Sequence, residues 1–267
     1  MNIFQAIILG VVQGITEFLP VSSSGHLVLL QKIFGISEPA LFFDTMVHVG
    51  TLVAVCAALR NDIWNILRRI IQPLTGLLII ATIPAVIIAL LFKNKIESAF
   101  ESGAFLGFAF LLTALALALS ELLSRRQGTS RGLPGMSAVD ALVIGVMQGI
   151  AIIPGVSRSG FTLSGALSLK LERGFAARFS FLLSIPAILG AFALQLKDVA
   201  GGGTLGADSI GALPIIAGTA AAAIVGFLSV TIMLRIVQKH SLAGFAVYTG
   251  VLGILVLIDQ FAAHIVF

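Results

Sequence analysis

Residues Val11–Leu27 read VVQGITEFLPVSSSGHL. An apolar, helix-like run carries Glu17, breaks at Pro20 and three serines, and resumes beyond Gly25 as a second short apolar segment. The chain repeats this design once, breaking at Pro154–Gly160 (PGVSRSG) within apolar sequence that runs from Ala138 to Leu169. Neither limb of Met1–Gly35 or of Ala138–Leu169 is comfortably long enough to cross, given the roughly 20 apolar residues that a membrane-crossing helix needs. A loop this polar cannot face lipid, and at membrane depth it persists only where protein buries it or a wet cavity lines it. Both regions therefore read as re-entrant helical hairpins.

The membrane itself follows from composition. The 267 residues include 16 Lys and Arg and 12 Asp and Glu, so 10% are charged and 58% apolar, with mean hydropathy +1.10. A soluble globule of this size has too few polar groups to cover that much apolar surface. A soluble enzyme, a nucleic-acid binder and a disordered chain are excluded. The formal charge of +4 fits Lys and Arg concentrated in cytoplasmic loops. A lone cysteine, Cys56, leaves neither a disulfide framework nor a thiolate metal site. Six stretches are long enough to span: Leu41–Leu59, Pro73–Phe92, Ala104–Leu123, Phe175–Leu196, Leu213–Ile236 and Leu242–Ala262.

The two interrupted regions are also alike in detail. A shift of 135 residues lays Ile8–His26 on Val143–Phe161 without a gap, and nine of the 19 pairs are identical, including Gln13/Gln148, Ser22/Ser157, Ser24/Ser159 and Gly25/Gly160. The chain reads as a single all-α transmembrane domain, 1–267, made of an internal repeat, 1–130 and 136–267. Each half has one re-entrant hairpin and three transmembrane helices. Three spans change side and a hairpin does not, so the second half is expected to be inverted. Eleven basic residues (Arg60, Arg68, Arg69, Arg125, Arg126, Arg131, Lys170, Arg173, Arg178, Arg235 and Lys239) fall on one face and four (Lys32, Lys93, Lys95 and Lys197) on the other. The richer face is cytoplasmic by the positive-inside rule. Both termini are then outside, and the two hairpin tips meet near the midplane.

Arg158 is the basic residue left over, in the second tip. A cation at that depth costs several kcal/mol unless it is paired, which makes it a candidate functional group. Ser157, Ser159 and Gly160 beside it offer hydroxyls and close backbone approach at a helix N-terminus, a setting that favours anions. A guanidinium fork suits phosphate oxygens. The first tip supplies Glu17, with Gln13 four residues earlier on the same helix face, then Ser22, Ser23, Ser24, Gly25 and His26. The spacing of Ser23 and His26 predicts a hydroxyl nucleophile activated by an imidazole base. Glu17 is expected to hold a divalent cation or to shuttle a proton. Asp44 and His48, four apart at the start of the first full span, are candidates for the mouth of the site.

Val11–Leu27 and Pro154–Gly160 resemble the paired signatures of the bacterial undecaprenyl-diphosphate phosphatase family of the bacitracin-resistance type. The resemblance extends over nearly the whole chain. It implies hydrolysis of undecaprenyl diphosphate to the monophosphate and phosphate, recycling the lipid carrier of cell-wall synthesis at the outer face of the bacterial inner membrane. It further implies a divalent cation (Mg²⁺ or Ca²⁺), no organic cofactor, a polyprenyl diphosphate substrate among membrane lipids, and leaves a homodimer open. The family's (Glu/Gln)-xxx-Glu element falls on Gln13 and Glu17. Many members carry glutamate at the first position, so here Glu17 would act as the single carboxylate. The rival reading is a secondary transporter or flippase of an anionic substrate, since inverted repeats with broken helices are a transporter design.

Overall fold

The computed structural model describes residues 1–36, 40–125, 130–200 and 210–267. Arg126 lies outside them, as do the side chains of Lys93 and Arg125, so these three contribute nothing structural to the charge asymmetry. Among the described residues there are eleven α-helices: α1 (Ile3–Thr16), α2 (Ser23–Ile33), α3 (Leu41–Ala58), α4 (Arg60–Arg68), α5 (Pro73–Ser102), α6 (Leu106–Arg125), α7 (Ala138–Ile150), α8 (Arg158–Ser168), α9 (Arg173–Ala200), α10 (Ala212–Lys239) and α11 (Ala243–Ile258).

Each half opens with a reciprocally capped helix. Asn2 and Gln5 exchange side-chain and backbone hydrogen bonds at the start of α1, both 2.9 Å. Ser137 and Asp140 do the same for α7, 135 positions on. Such boxes satisfy backbone N–H groups that a helix start leaves without partners. At 1.5 Å per residue, the 14 residues of α1 and 11 of α2 reach only about 21 and 16 Å, well short of the roughly 30 Å hydrocarbon core. The chain turns back at Phe18–Ser22, and α2 packs beside α1. α7 and α8 form the matching pair.

Among the described residues, six helices are long and apolar enough to cross a membrane: Leu41–Ala58, Pro73–Phe92, Leu106–Ser124, Arg173–Lys197, Ala212–Lys239 and Ala243–Ala263, within a few residues of the stretches read from composition. Their outward faces stay apolar, with Val86, Leu90, Ile216, Leu228 and Val251 exposed. The protein is an all-α integral membrane protein. Two departures have local causes. Phe92 leaves helical geometry (φ −114°, ψ 15°) where the apolar run of α5 ends, yet the helix resumes to Ser102. The segment after α3 is a separate surface helix, α4, on which Arg68 lies 4.7 Å from the Trp64 ring.

The hairpins are held crosswise. α1 lies along α10 of the second half, and α7 lies along α5 of the first. Both contacts need glycine: a Cβ on Gly10 would fall on the Gly218 carbonyl oxygen, and one on Gly145 on that of Ala81. Small residues at such points let helix backbones approach closely, the main source of helix attraction where lipid removes the hydrophobic one. A central core containing Phe18, Leu52, Leu117, Ile144, Leu163 and Phe181 fills the space between the hairpins and the spans.

Candidate active site

α1 ends at Thr16, and Glu17 caps it in helical conformation, its N–H donating to the Gln13 carbonyl at 2.9 Å. The next residue, Phe18, is fully buried and packs edge-on against Phe181 at 5.3 Å. That anchor fixes where the Glu17 carboxylate points. Beyond the turn, Ser22 adopts φ 72°, ψ 95°, a region that costs a non-glycine residue of order 1–3 kcal/mol unless its surroundings enforce it. Its Oγ accepts from the Gly25 N–H at 3.2 Å and so caps α2. Ser23 then stands on the first turn of α2 with its hydroxyl 2.5 Å from Glu17 Oε2, donating to it.

The second tip arrives from the other direction. Gly155 takes φ +85°, a conformation glycine adopts freely, and a Cβ there would strike Leu106 and Ala109 of α6. Ser157 caps α8, its Oγ accepting from the Gly160 N–H at 3.0 Å, while its own N–H donates to Thr113 Oγ1 of α6 at 3.0 Å. Arg158 follows as the first residue of α8.

The two tips touch through three polar contacts. Arg158 Nη2 lies 2.6 Å from Glu17 Oε1. The Ser159 hydroxyl donates to the Leu19 carbonyl at 2.8 Å, and the Gly155 N–H donates to Ser24 Oγ at 3.3 Å. Glu17 is 6% exposed, and the Arg158 side chain 15%. A buried charge of this kind persists only when paired and hydrogen-bonded. Glu17 meets that condition fully: beyond Arg158 and Ser23, Gln13 Nε2 donates to Oε2 at 3.0 Å. His48 Nε2 also stands 3.5 Å from Oε2, while its Nδ1–H donates to the Asp44 carbonyl at 2.6 Å.

These groups open onto a cavity of about 400 Å³. Glu17, Ser23, Ser24, Asp44, His48 and Ser157–Ser159 form its polar wall, and Leu41, Ala89, Ile96, Ile152, Ile188 and Leu194 an apolar one. Asp44 and His48 thus line the same cavity as the two tips. At its rim, Gln195 of α9 is hydrogen-bonded to Thr45, and its Nε2 donates to the Leu41 carbonyl at 3.0 Å.

One expected pairing is not formed. The imidazole of His26 is not on Ser23: Nδ1 lies 2.6 Å from the Ser22 carbonyl oxygen and Nε2 2.7 Å from the Tyr248 hydroxyl. Both ring nitrogens are engaged, and Ser23 is turned to Glu17 instead. The physical reason is the left-handed Ser22, which directs its carbonyl at the ring of the residue four positions on. Spacing along a helix can bring two side chains near each other, but it cannot foresee that a backbone carbonyl will take the ring first. Sequence reasoning also missed Thr113 and Tyr248, which support the tips from α6 and α11. A signal was there: the two positions differ by 135, the offset of the repeat.

Glu17 is the carboxylate that would hold a cation. Among the described residues no three His, Cys, Asp or Glu side chains gather as ligands, and both Glu17 oxygens already accept hydrogen bonds. These side chains do not form a closed ligand set by themselves; a divalent cation here would take the Glu17 carboxylate and complete its shell with water and substrate phosphate oxygens, as Mg²⁺ does with one or two carboxylates.

The family model described as bacitracin resistance protein BacA matches residues 6–255. An undecaprenyl-diphosphatase of Carboxydothermus hydrogenoformans is 48% identical over 263 residues, covering 98% of this chain and 99% of that one. Undecaprenyl-diphosphatase 3 of Bacillus cereus is 43% identical over 261 residues, 98% of each chain. An undecaprenyl-diphosphatase of Methanosphaera stadtmanae is 41% identical over 280 residues, 97% of this chain and 98% of that one.

Proposed function

The chain belongs to the bacitracin resistance protein BacA family, and from that membership we propose that it hydrolyses undecaprenyl diphosphate to undecaprenyl phosphate and phosphate within the membrane. The observation that carries the reading is the chain Ser23–Glu17–Arg158, a hydroxyl, a carboxylate and a guanidinium joined by contacts of 2.5 and 2.6 Å at the polar edge of a mainly apolar cavity. A transporter needs an anion site but not a hydroxyl held against a buried carboxylate.

Phosphoryl transfer is largely positioning and charge stabilisation, and the roles divide accordingly. The diphosphate enters the polar wall and the prenyl chain lies along the apolar one. Ser23 Oγ attacks the terminal phosphorus, its proton passes to Glu17 Oε2, and the bond to the bridging oxygen breaks. Undecaprenyl phosphate leaves with that electron pair. Water then attacks the phosphoserine and releases phosphate, and Ser23 recovers a proton from Glu17. Arg158 spreads its charge over the transferring oxygens, and the N–H groups opening α8 add their dipoles. The Gln13 amide holds the carboxylate in place, donating to Oε2 at 3.0 Å.

Acid quenching during turnover with substrate labelled in the terminal phosphate should trap label on Ser23, and Ser23→Ala should lose at least about 100-fold in phosphate release. Direct attack by water would leave no trapped label, and Ser23→Ala near full activity would remove Ser23 from the mechanism.

The inverted arrangement of the halves 1–130 and 136–267 belongs to the same proposal. Its supports are the crosswise packing of the hairpins and the eleven-to-four division of basic residues. Both termini then lie outside, and the cavity serves the outer leaflet. In a Cys56→Ser chain, a membrane-impermeant maleimide applied to intact cells should label His264→Cys and spare Ser241→Cys. The opposite pattern would reverse the orientation.

A further inference from the structure

We propose that Tyr248 is a positioning residue for Ser23, acting through His26 and the peptide that joins Ser22 to Ser23; this rests on the phosphatase reading above and adds to it a residue on the far side of the site.

The geometry is a relay of three groups. The Ser22 carbonyl oxygen can only accept, so His26 Nδ1, 2.6 Å away, carries the hydrogen. In the neutral ring this leaves the Nε2 lone pair for the Tyr248 hydroxyl at 2.7 Å. The hydrogen bond made by one ring nitrogen settles whether the other donates or accepts. Two aromatic rings hold the imidazole in orientation. Phe110 meets it edge-on at 5.5 Å and 81°, and Tyr248 lies nearly parallel to it at 5.8 Å and 8°. His26 is 8% exposed, so water cannot readily replace either partner.

What the relay holds is the strained link of the site. Ser22 sits at φ 72°, and its carbonyl belongs to the peptide plane that leads into Ser23. Rotation of that plane would carry Ser23 Oγ away from Glu17 Oε2, where it now lies at 2.5 Å. His26 Nδ1–H is the clamp on the plane, and Tyr248 keeps the ring in the tautomer and orientation that can clamp. Tyr248 is the single tyrosine of the chain.

The second tip supplies an independent observation. Thr113 of α6 accepts the N–H of Ser157 at 3.0 Å, and Ser157 is the repeat counterpart of Ser22. Thr113 and Tyr248 are themselves 135 residues apart. Each tip is therefore braced by the same position in the third span of the other half. The bracing is direct in one tip, through Thr113, and reaches the other through a histidine.

The test uses the full chain in detergent, with phosphate release from a polyprenyl diphosphate and ¹⁵N spectra of histidine-labelled protein. Tyr248→Phe keeps the ring and removes the hydroxyl. It should lower kcat about tenfold, as expected for a misplaced reacting group, leave KM within about twofold, and move the His26 Nε2 resonance. His26→Asn offers an amide N–H to the Ser22 carbonyl in place of Nδ1–H and should retain several-fold more activity than His26→Ala. In the His26→Asn background, Tyr248→Phe should have no further effect. An unchanged kcat in Tyr248→Phe, a loss confined to KM, an unmoved resonance, or equal loss in His26→Asn and His26→Ala would each overturn the proposal. Equal loss is the outcome of a histidine that is itself the base. If the unsubstituted chain releases no phosphate, the phosphatase reading fails by itself, and the histidine spectra still decide whether Tyr248 sets the His26 ring.

Discussion

Arg158→Ala should reduce kcat/KM for polyprenyl diphosphate hydrolysis at least about 100-fold, on the scale of removing a donor that stabilises transition-state charge. The guanidinium is 2.6 Å from Glu17 Oε1 on the cavity wall, where it can meet a phosphate without leaving its carboxylate. Arg158→Lys should recover no more than about a tenth of the loss, since one ammonium cannot reproduce a planar fork. The alanine variant also leaves Glu17 charged and unpaired by its main partner. Removing one member of a buried pair costs about 3–5 kcal/mol, so thermal unfolding must be measured alongside activity. Glu17→Gln/Arg158→Met, which removes both charges, should regain most of that stability and remain inactive. Arg158→Ala with kcat/KM near that of the unsubstituted chain would take the guanidinium out of the chemistry.

Glu17→Gln should be at least as damaging, with kcat down by about 100- to 10,000-fold, the range of a general base. The amide is the same size and can still accept one hydrogen bond, but it cannot take the Ser23 proton. It also leaves Arg158 without its anion. The loss should appear in kcat, with KM changed by no more than about threefold, because the cavity keeps its shape. Single-turnover phosphate release separates the two effects. Loss of binding alone, with the rate of the bound complex intact, would make Glu17 a structural counter-ion. The neighbouring Gln13 offers the contrast, since it donates to the same Oε2 at 3.0 Å and handles no proton.

Much of this site was legible in advance because lipid is an unforgiving solvent. Glu17 and Arg158 are charges in apolar sequence, and the bilayer leaves such groups little choice but to meet. Asp44 and His48 were readable only from their spacing at the start of the first full span, as candidates for the mouth of the site, and they line the same cavity as the tips. His26 marks the limit. Its spacing from Ser23 suggested a contact, but the left-handed Ser22 gave its ring a carbonyl to hold, and Tyr248, 222 residues away, took the other nitrogen. Nothing local to residues 20–26 signals Tyr248.

From its order of residues alone, the chain settled that its solvent is lipid, which six stretches can cross, and where two helices must break. These follow from composition and length, which act locally: a run of apolar residues is insoluble in water wherever it sits, and Pro20 and Gly155 lie among serines that cannot extend an apolar span, whereas Pro84 and Pro186, in long apolar runs, stay inside α5 and α9. Which base faces Ser23, which residues brace the tips, and how a cavity forms between Glu17 and Ile188 were decided by the tertiary structure. Those outcomes depend on angles between distant helices, and they turn on which of several donors arrives within 3 Å of an acceptor first.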